Sequence, residues 1–470
     1  MADNDLALLA HLMRRAGFGA TREELEDYAS QGYETVVENL LHPERFPALD
    51  DTLFYRYYAL GSTMVDATVM WHARWLYRMI NTLRPLEEKM GLFWHHVFAT
   101  GWHKSENTPA MVNQIDMFRR HGLSNMRTIL LELSRDPAML DWLDNNENHK
   151  HAPNENYGRE LLELFSMGVG NYSEQDIKQA ARAFTGWTFS QPIPLYPYGY
   201  YSTFFEYNAD DHDDSEKTFL GHTGRFNGED IIDIIVQQSA TPQFIARHMY
   251  NFFVADEPQV PAWHEAPPQD PAAIAILAQA YVDSDGDMRA ILHVLFHADF
   301  FKAARFKRVK SPTELVAGTI RLLGTYRFPE PGLHDLATAS TAMGQFLHNP
   351  PTVEGWHTGK EWIDGGTLTE RVNFAVGEMA DLTKPGIQDT IARLKFKAQG
   401  MALSPEAFVD ACLDLMGPLE IGPTTRQVLT RYATSGGDLR FGTEADDETS
   451  ARRIGRMMQL IASSQEYQFA

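Results

Sequence analysis

Apolar residues recur every three to four positions through most of this chain, and no long stretch alternates between apolar and polar residues. That period is typical of amphipathic helices packed on a core, whereas strands of a half-buried sheet alternate with a period of two. Gly, Pro, Asn or Asp separates the segments, as expected at helix ends. The pattern predicts helices at 5–15, 22–42, 66–100, 108–133, 136–144, 154–168, 173–186, 228–238, 242–254, 271–283, 287–296, 311–325, 332–342, 370–382, 387–398, 405–416, 424–434 and 449–464.

Two stretches lack the helical period. In 188–223, aromatic residues alternate with Pro, Gly and acids, which suits irregular structure or a short β-hairpin laid over a helical core. A second aromatic and Gly-rich loop covers 349–366. We therefore predict an all-α fold, with one large helical domain over 1–470, loop insertions at about 188–225 and 349–366, and at most a small β-hairpin.

Charge and cysteine content exclude several classes of protein. Lys and Arg total 41 against 63 Asp and Glu, a net charge of −22 that repels phosphate backbones and anionic membrane surfaces. The single cysteine, Cys412, cannot form an internal disulfide or a thiolate metal cage. The first residues are acidic rather than basic and apolar, so the chain as written is predicted to be cytoplasmic, with no nucleic-acid or membrane partner.

The most polar helix of the prediction lies at 153–165. It carries Glu155, Arg159, Glu160 and Glu163 beside a strong apolar stripe. Such a cluster is either a buried ion network or the wall of a site, and the pattern leaves both open. In the buried case Arg159 would be held by Glu155 and Glu163. We expect this case, and expect replacing Arg159 with Met to damage folding, because the apolar stripe beside it is strong.

Histidines beside helix ends supply further candidates. His95 and His96 lie late in an apolar helix and point about 100° apart, so we expect one to face inward, and favour His95. Neutral imidazole is a common metal ligand and general base, but a core histidine bonded to a carbonyl is an equal alternative. Arg120 and His121 precede Gly122; they either anchor a carboxylate or compensate a helix C-terminus.

The last candidates lie in the acidic run at 210–216. His212 and Asp213 combine an imidazole with carboxylate oxygens, a set that suits divalent ions, and Lys217 follows closely. A run of acids on a loop is otherwise a solvated surface.

Several motifs in order give the chain a family resemblance. It resembles the bacterial domain-of-unknown-function 1800 family nearly end to end. The motifs that carry the resemblance are RRAGFGAT at 14–21, FWHHVFATG at 93–101, RRHG at 119–122, SRDPAML at 134–140, PNENYGRELLEL at 153–164, AFTGW at 183–187, HD at 212–213, KTFLG at 217–221 and VKSP at 309–312.

What the resemblance implies is limited, because the family is named for the absence of a known activity. Many relatives look exported, and a sulfatase- or phosphatase-like protein often encoded beside the family is an implied partner. The chain departs from the family pattern at His95-His96-Val97, where the second histidine of a His-Asn-His set is displaced or lost. It also departs at Gly158, where Ala is usual.

Together these residues suggest two functions. The leading hypothesis is a divalent-metal-dependent enzyme, hydrolytic or oxidative, using Zn²⁺, Fe²⁺ or Mn²⁺ in one pocket between helices and the 188–223 loop. Its predicted metal ligands are His95, His212 and Asp213. Its predicted catalytic residues, with Glu160 or Glu155 as the base, are Glu155, Glu160, His121, Arg120, Arg159 and Lys217. The alternative is a non-catalytic binding or assembly protein with a buried Glu/Arg/His network.

Overall fold

The structure, a computed structural model, describes residues 2–57, 64–190, 203–399 and 402–470. Helices account for most of these ranges. The first twelve, α1 to α12, are Ala2–Arg15, Arg22–Gln31, Tyr33–Leu41, Thr52–Tyr57, Met64–Asn81, Pro85–Val97, Trp102–Ser105, Thr108–His121, Met126–Ser134, Pro137–Trp142, Asn156–Glu163 and Glu174–Ala183. The next twelve, α13 to α24, are Gly228–Val236, Ala240–Phe253, Pro271–Asp283, Met288–His297, Asp299–Lys302, Pro312–Leu323, Leu333–Ala342, Gly365–Glu378, Pro385–Ala398, Pro405–Leu415, Pro423–Ser435 and Glu444–Ala462.

Strands form only three short antiparallel pairs in the described ranges. They are β1 (Trp187–Ser190) with β2 (Phe204–Tyr207), β3 (Lys217–Phe219) with β4 (His222–Gly224), and β5 (Ala402–Leu403) with β6 (Leu439–Arg440). Two of the pairs fall in the aromatic loop, so the prediction of an all-α fold with small hairpins is confirmed. Residues 191–202 of that loop lie outside the described ranges.

Three predicted helices are each two helices in the structure. The segment 22–42 is broken at Gly32, whose φ of 86° lies in the left-handed region that glycine adopts most easily. The segment 66–100 is broken before Pro85, which begins α6 because a proline at the first helical position loses no hydrogen bond. The segment 108–133 is broken before Asn125, whose side chain caps α9. Each of these residues separates two helices, although the apolar pattern continues across it.

The core is assembled around α5, α6, α8 and α18. Helix α5 packs against the other three and against α19, and α6 packs along α8. Trp75 and Trp94 are among the largest fully buried side chains of this core. Among the described helices, none combines the length and the apolar content that a membrane span requires.

The last residues of the sequence return to the start of α18. Val309 and Phe469 form an antiparallel bridge, and the N–H of Lys310 donates to the carbonyl of Gln468 at 2.9 Å. The N–H of Ala470 donates to the carbonyl of Arg308 at 2.9 Å. Arg15, at the end of α1, lies 3.6 Å from Glu314 of α18. Segments from both ends of the sequence therefore meet at α18.

Candidate functional site

The ion pairs of α11 lie at the surface of the helix. The guanidinium of Arg159 pairs with Glu174 through two nitrogen–oxygen distances of 2.9 Å and with Glu155 at 3.3 Å. About a third of the Arg159 side chain (35%) is exposed. Glu163, expected as the second partner of Arg159, accepts a hydrogen bond from the hydroxyl of Tyr172 at 2.8 Å instead. The cluster is therefore a half-exposed ion-pair network, which corrects the expectation of a buried one.

Glu160 is the member of α11 with the most perturbed carboxyl. It is half-buried, and burial together with the charges of Glu163 and Glu354 raises its pKa to about 7, although Arg159 opposes the shift. Glu354 belongs to the second aromatic loop, so the fold brings that loop close to α11. A carboxyl that titrates near neutral pH can act as a general acid or base.

His95 faces the core, as expected, but it does not bond to a carbonyl. It is fully buried, and its Nε2 accepts the backbone N–H of His348 at 3.0 Å. Its ring contacts Trp356 at a centroid distance of 5.2 Å. Burial, and then the neighbouring His348, lower the pKa of His95 well below its ordinary value. The imidazole is therefore neutral, and Nδ1 has no hydrogen-bond partner among the described residues.

At the end of α8 the important cation is Arg119, not the candidates that follow it. Arg120 is exposed, and its Nε donates to the carbonyl of Asp116 at 3.3 Å. His121 is half-buried at the last helical position. Arg119 instead binds Glu88 on α6 in bidentate fashion, at 2.9 and 3.0 Å.

The residues at 212–217 hold their loop against α12. Nδ1 of His212 lies 2.9 Å from the carbonyl oxygen of Thr185. Asp213 accepts a hydrogen bond from Nε of Arg182 at 2.7 Å, and that guanidinium contributes to the lowered pKa of Asp213, although burial opposes it. Nζ of Lys217 donates to the carbonyl of Asp213. These contacts are local and suit a structural role.

The candidates make separate contacts. No hydrogen bond or ion pair in the described ranges joins His95 or His121 to Glu155, Glu160 or His212. Within the same ranges, no group of three or more His, Cys, Asp or Glu side chains is placed to hold a metal ion. Metal binding by His95, His212 and Asp213 therefore stays a prediction.

A buried ion network that the sequence did not reveal surrounds Glu88. Glu88 is fully buried and accepts from Arg78 at 2.8 Å, from Arg119 as above, and from the indole of Trp75 at 3.0 Å. Burial alone would raise the pKa of Glu88, but the two guanidinium groups outweigh it and lower the pKa to about 2. Counting the outer ion pairs, this Glu88 network comprises Asp51, Arg74, Arg78, Glu88, Asp116 and Arg119. It balances three cations with three carboxylates.

A second buried cluster surrounds Glu314 in the first turn of α18. Lys89 donates to one carboxylate oxygen, and Nη1 of Arg308 donates to the other at 2.9 Å. Nη1 of Arg15 lies 3.6 Å from the carboxylate, and a second acid, Asp256, lies 3.9 Å from Arg308. With three further cations whose charges reach this site, the Glu314 cluster comprises Arg14, Arg15, Lys89, Asp256, Arg308, Lys310, Glu314 and Arg371. Six basic side chains, four of them arginines, here face two carboxylates.

Three guanidinium groups of the Glu314 cluster have a nitrogen without a hydrogen-bond partner in the described ranges, although that of Arg15 lies 3.6 Å from Glu314. Nη1 of Arg14 donates to the carbonyl of Gly417 at 2.7 Å, but its Nε and Nη2 are buried and have no partner in the described ranges. Arg371, also fully buried, donates to Gln468 and Lys310, and its Nη1 likewise has no partner there. Burial lowers the pKa of the Arg14 and Arg371 guanidinium groups to about 10, so both remain charged at neutral pH. Unpaired buried donors of this kind are rare in native proteins.

A cavity of about 60 Å³ has Arg14, but not Arg371, in its wall. That volume admits one small anion or a few water molecules. Residues from α1, α18 and the end of the sequence form its wall, among them Arg14, Phe18, Lys310, Glu314, Tyr467 and Ala470. The wall thus combines cationic groups with apolar and aromatic surface.

Local sequence explains how the cavity is built. Arg14 and Arg15 end the apolar helix α1, and Gly17 follows; a Cβ at Gly17 would lie 3.0 Å from the side chain of Pro85. Glycine therefore lets the first turn of α6 approach α1, which places Lys89 against the carbonyl of Gly17 at 2.9 Å. On α18, Ser311 and Glu314 form a capping box, which fixes the Glu314 carboxylate at the start of the helix.

A comparison with known protein families agrees with the family resemblance of the sequence. The family model described as "Protein of unknown function (DUF1800)" matches residues 11–469, and the chain belongs to that family. Neither the search of curated proteins nor the search of solved structures found a match. Arg14, Glu314 and Gln468, which build the Glu314 cluster and its surroundings, all lie within the matched range.

Proposed function

We propose that this protein binds a small anionic ligand in the cavity beside the Glu314 cluster. The observation that carries the proposal is the excess of basic over acidic side chains in this cluster, with Arg14, whose Nε and Nη2 have no partner in the described ranges, among the residues of the cavity wall. This function belongs to the binding class that the sequence left as the alternative to an enzyme.

Electrostatics favour an occupied cavity. A buried charge without a counter-ion is unfavourable by several kcal/mol, so an anion beside the cluster would stabilise the fold. The carboxylate whose charge reaches Arg14 is Glu420, which pairs with Arg305 at 2.9 Å and is itself more than half exposed (57%). Glu420 therefore balances the positive charge of the Glu314 cluster only weakly. The positive end of α18 adds a favourable field for an anion at the same place.

The free edge of Arg14 suggests the chemical class of the ligand. Nε and Nη2 lie along one side of the guanidinium, and their N–H bonds match the spacing of two oxygens in a carboxylate or phosphate. Nη1, on the other side, is already bonded to Gly417. A carboxylate, phosphate or sulfate group held in bidentate fashion by Arg14 is the ligand that fits these donors.

Thermal unfolding in the presence of different anions tests the proposal. The full chain in a chloride buffer would receive phosphate, sulfate, acetate or oxalate at constant ionic strength. We expect at least one oxyanion to raise Tm in a saturable manner, because a ligand that binds only the folded state stabilises it. The response should be lost in Arg14→Gln and kept in Arg305→Gln, which removes a nearby arginine outside the cavity wall. An equal response of the wild type and Arg14→Gln to every anion would contradict the proposal.

One observation favours acid–base catalysis as a second candidate function. The pKa of Glu160 is raised to about 7 between Glu163 and Glu354, which suits a general acid or base. Titration of glutamate carboxyls by ¹³C NMR would test this, since an ordinary pKa near 4 for Glu160 would remove the candidate. The divalent metal expected from the sequence is tested separately, by metal analysis of the purified protein.

A further inference from the structure

Lys310 is an amine in the wall of the same cavity, and it has no acidic partner. Its Nζ donates to the carbonyl of Tyr467 at 2.8 Å and lies 4.3 Å from the centre of that aromatic ring. None of the ion pairs in the described ranges includes Lys310. Lys89 and Lys384, by contrast, each contact a carboxylate. Lys310, which is half-buried, therefore lacks the interaction that usually keeps an ammonium charged away from water.

The surroundings of Lys310 favour its neutral form. Burial, and then the charges of Arg14 and Arg371, lower the pKa of Lys310 to about 7, although Glu314 opposes the shift. A neutral lysine amine is a nucleophile, and desolvation beside another cation is a known way of activating one. Arg14 belongs to the same cavity wall, so an anion bound to Arg14 there would lie close to this amine.

We propose that Lys310 forms an imine with a small aldehyde or keto acid whose anionic group is held by Arg14. This inference rests on the proposed anion binding and names its ligand class, an anionic carbonyl compound. The amine nitrogen attacks the carbonyl carbon, and a proton moves from nitrogen to oxygen to give a carbinolamine. Loss of water then forms the carbon–nitrogen double bond. The step needs no oxidant or reductant and is reversed by hydrolysis.

Reductive trapping of the full chain with glyoxylate tests this inference. Glyoxylate is a small aldehyde that carries a carboxylate, and sodium cyanoborohydride would convert its imine into a stable carboxymethyl amine. Peptide mapping by mass spectrometry would then locate the label. We expect Lys310 to be modified at least about tenfold faster than other lysines, because its amine is activated and the carboxylate is held nearby. Oxalate, which has no aldehyde, should protect Lys310.

Matched variants separate Lys310 from ordinary reactivity. Lys310→Arg keeps the charge and should lose the label, whereas Lys302→Arg should keep it; Lys302 also lies over a tyrosine ring, that of Tyr33, but is outside the cavity wall. Labelling of the wild type that is spread evenly over exposed lysines would overturn the inference, and this result needs no variant to fold. If oxyanions still raise Tm while Lys310 stays unlabelled, only the imine is overturned. If neither occurs, the binding proposal fails as well.

Discussion

Two buried glutamates of this protein, Glu88 and Glu314, have opposite electrostatic surroundings. Glu88 lies in a network of three cations and three carboxylates, and every buried polar atom of Glu88, Arg78 and Arg119 has a partner. Glu314 lies among six basic side chains with a single further carboxylate, and nitrogens of Arg14, Arg15 and Arg371 have no hydrogen-bond partner in the described ranges. Glu88 joins helices that are close in sequence, α5, α6 and α8, whereas Glu314 joins α18 to the distant α1 and α6. The Glu314 cluster also borders a cavity.

This difference separates a structural ion network from a candidate binding site. A balanced network satisfies its own charges, so it fixes the packing of α5, α6 and α8 without help from solvent or ligand. An unbalanced cluster stores unfavourable charge repulsion, which an anion in the cavity would relieve. Buried charge alone therefore does not indicate function. The imbalance between the charges, together with open volume beside them, does.

The largest expected effects come from neutralising each glutamate. Glu88→Gln and Glu314→Gln should each lower the free energy of unfolding by about 3–5 kcal/mol, because buried cations lose their counter-ion. We expect phosphate to recover part of the loss in Glu314→Gln, where the cavity can hold an anion beside the cluster, and none of it in Glu88→Gln. Urea unfolding in phosphate and in chloride at equal ionic strength measures this. The same phosphate response in both variants would remove the distinction between the two sites.

Removing one cation from each site should lower the free energy of unfolding by unequal amounts. Arg119→Met leaves Glu88 with one fewer charged partner and should lower the free energy of unfolding by about 3 kcal/mol. Arg14→Met removes a charge from a site that already has too many, so we expect a change below about 1 kcal/mol. Urea unfolding in chloride buffer compares them. The prediction fails if Arg14→Met is as damaging as Arg119→Met.

Stability should depend on pH through Lys310. Its pKa in the folded protein, about 7, lies below the ordinary value of 10.5, so the unfolded chain binds more protons between these two values. The free energy of unfolding should therefore rise with pH across this window, relative to Lys310→Met, by on the order of 1 kcal/mol, because Lys310 is partly exposed and solvent screens its charge. Chemical unfolding of both proteins from pH 6 to pH 10 measures the difference. A constant difference would show that Lys310 has an ordinary pKa.

The smallest effect is expected for Arg159→Met. Its guanidinium lies at the surface of α11, is about one-third exposed and pairs with Glu155 and Glu174. The free energy of unfolding should therefore fall by less than about 1 kcal/mol. Thermal unfolding measures it, with Arg119→Met as the buried comparison. A decrease in stability as large as that of Arg119→Met would contradict this prediction and support the buried network expected from the sequence.

Helical period predicted the fold class because it depends on local spacing alone. The helix boundaries that the pattern missed depend on single residues: the left-handed backbone of Gly32, and Pro85 at the first position of α6. Helix geometry predicted that one of His95 and His96 faces inward, and the choice of His95 rested on the family motif, which retains it. The actual partner of His95, the backbone of His348, is 253 residues away and left no local signal.

The Glu314 cluster was not predictable, because its members come from distant segments. Arg15, Lys89 and Glu314 each had an ordinary local explanation, as the end of a helix, a charge on a helix and a capping residue. Only the packing of α1, α6 and α18 brings them together. On α11 the sequence predicted a buried network that the structure does not have. Arg159 and its glutamates are close together in sequence, but they lie near solvent in the structure.

Crystals of the full chain grown with millimolar selenate would test the central claim most directly, because the anomalous signal of selenium locates the anion without reference to the protein. Our account predicts one ordered selenate within hydrogen-bond distance of Nε and Nη2 of Arg14, and none beside Glu88. An Arg14 edge bonded to protein or water, with no anion in the cavity at saturating selenate, would contradict it.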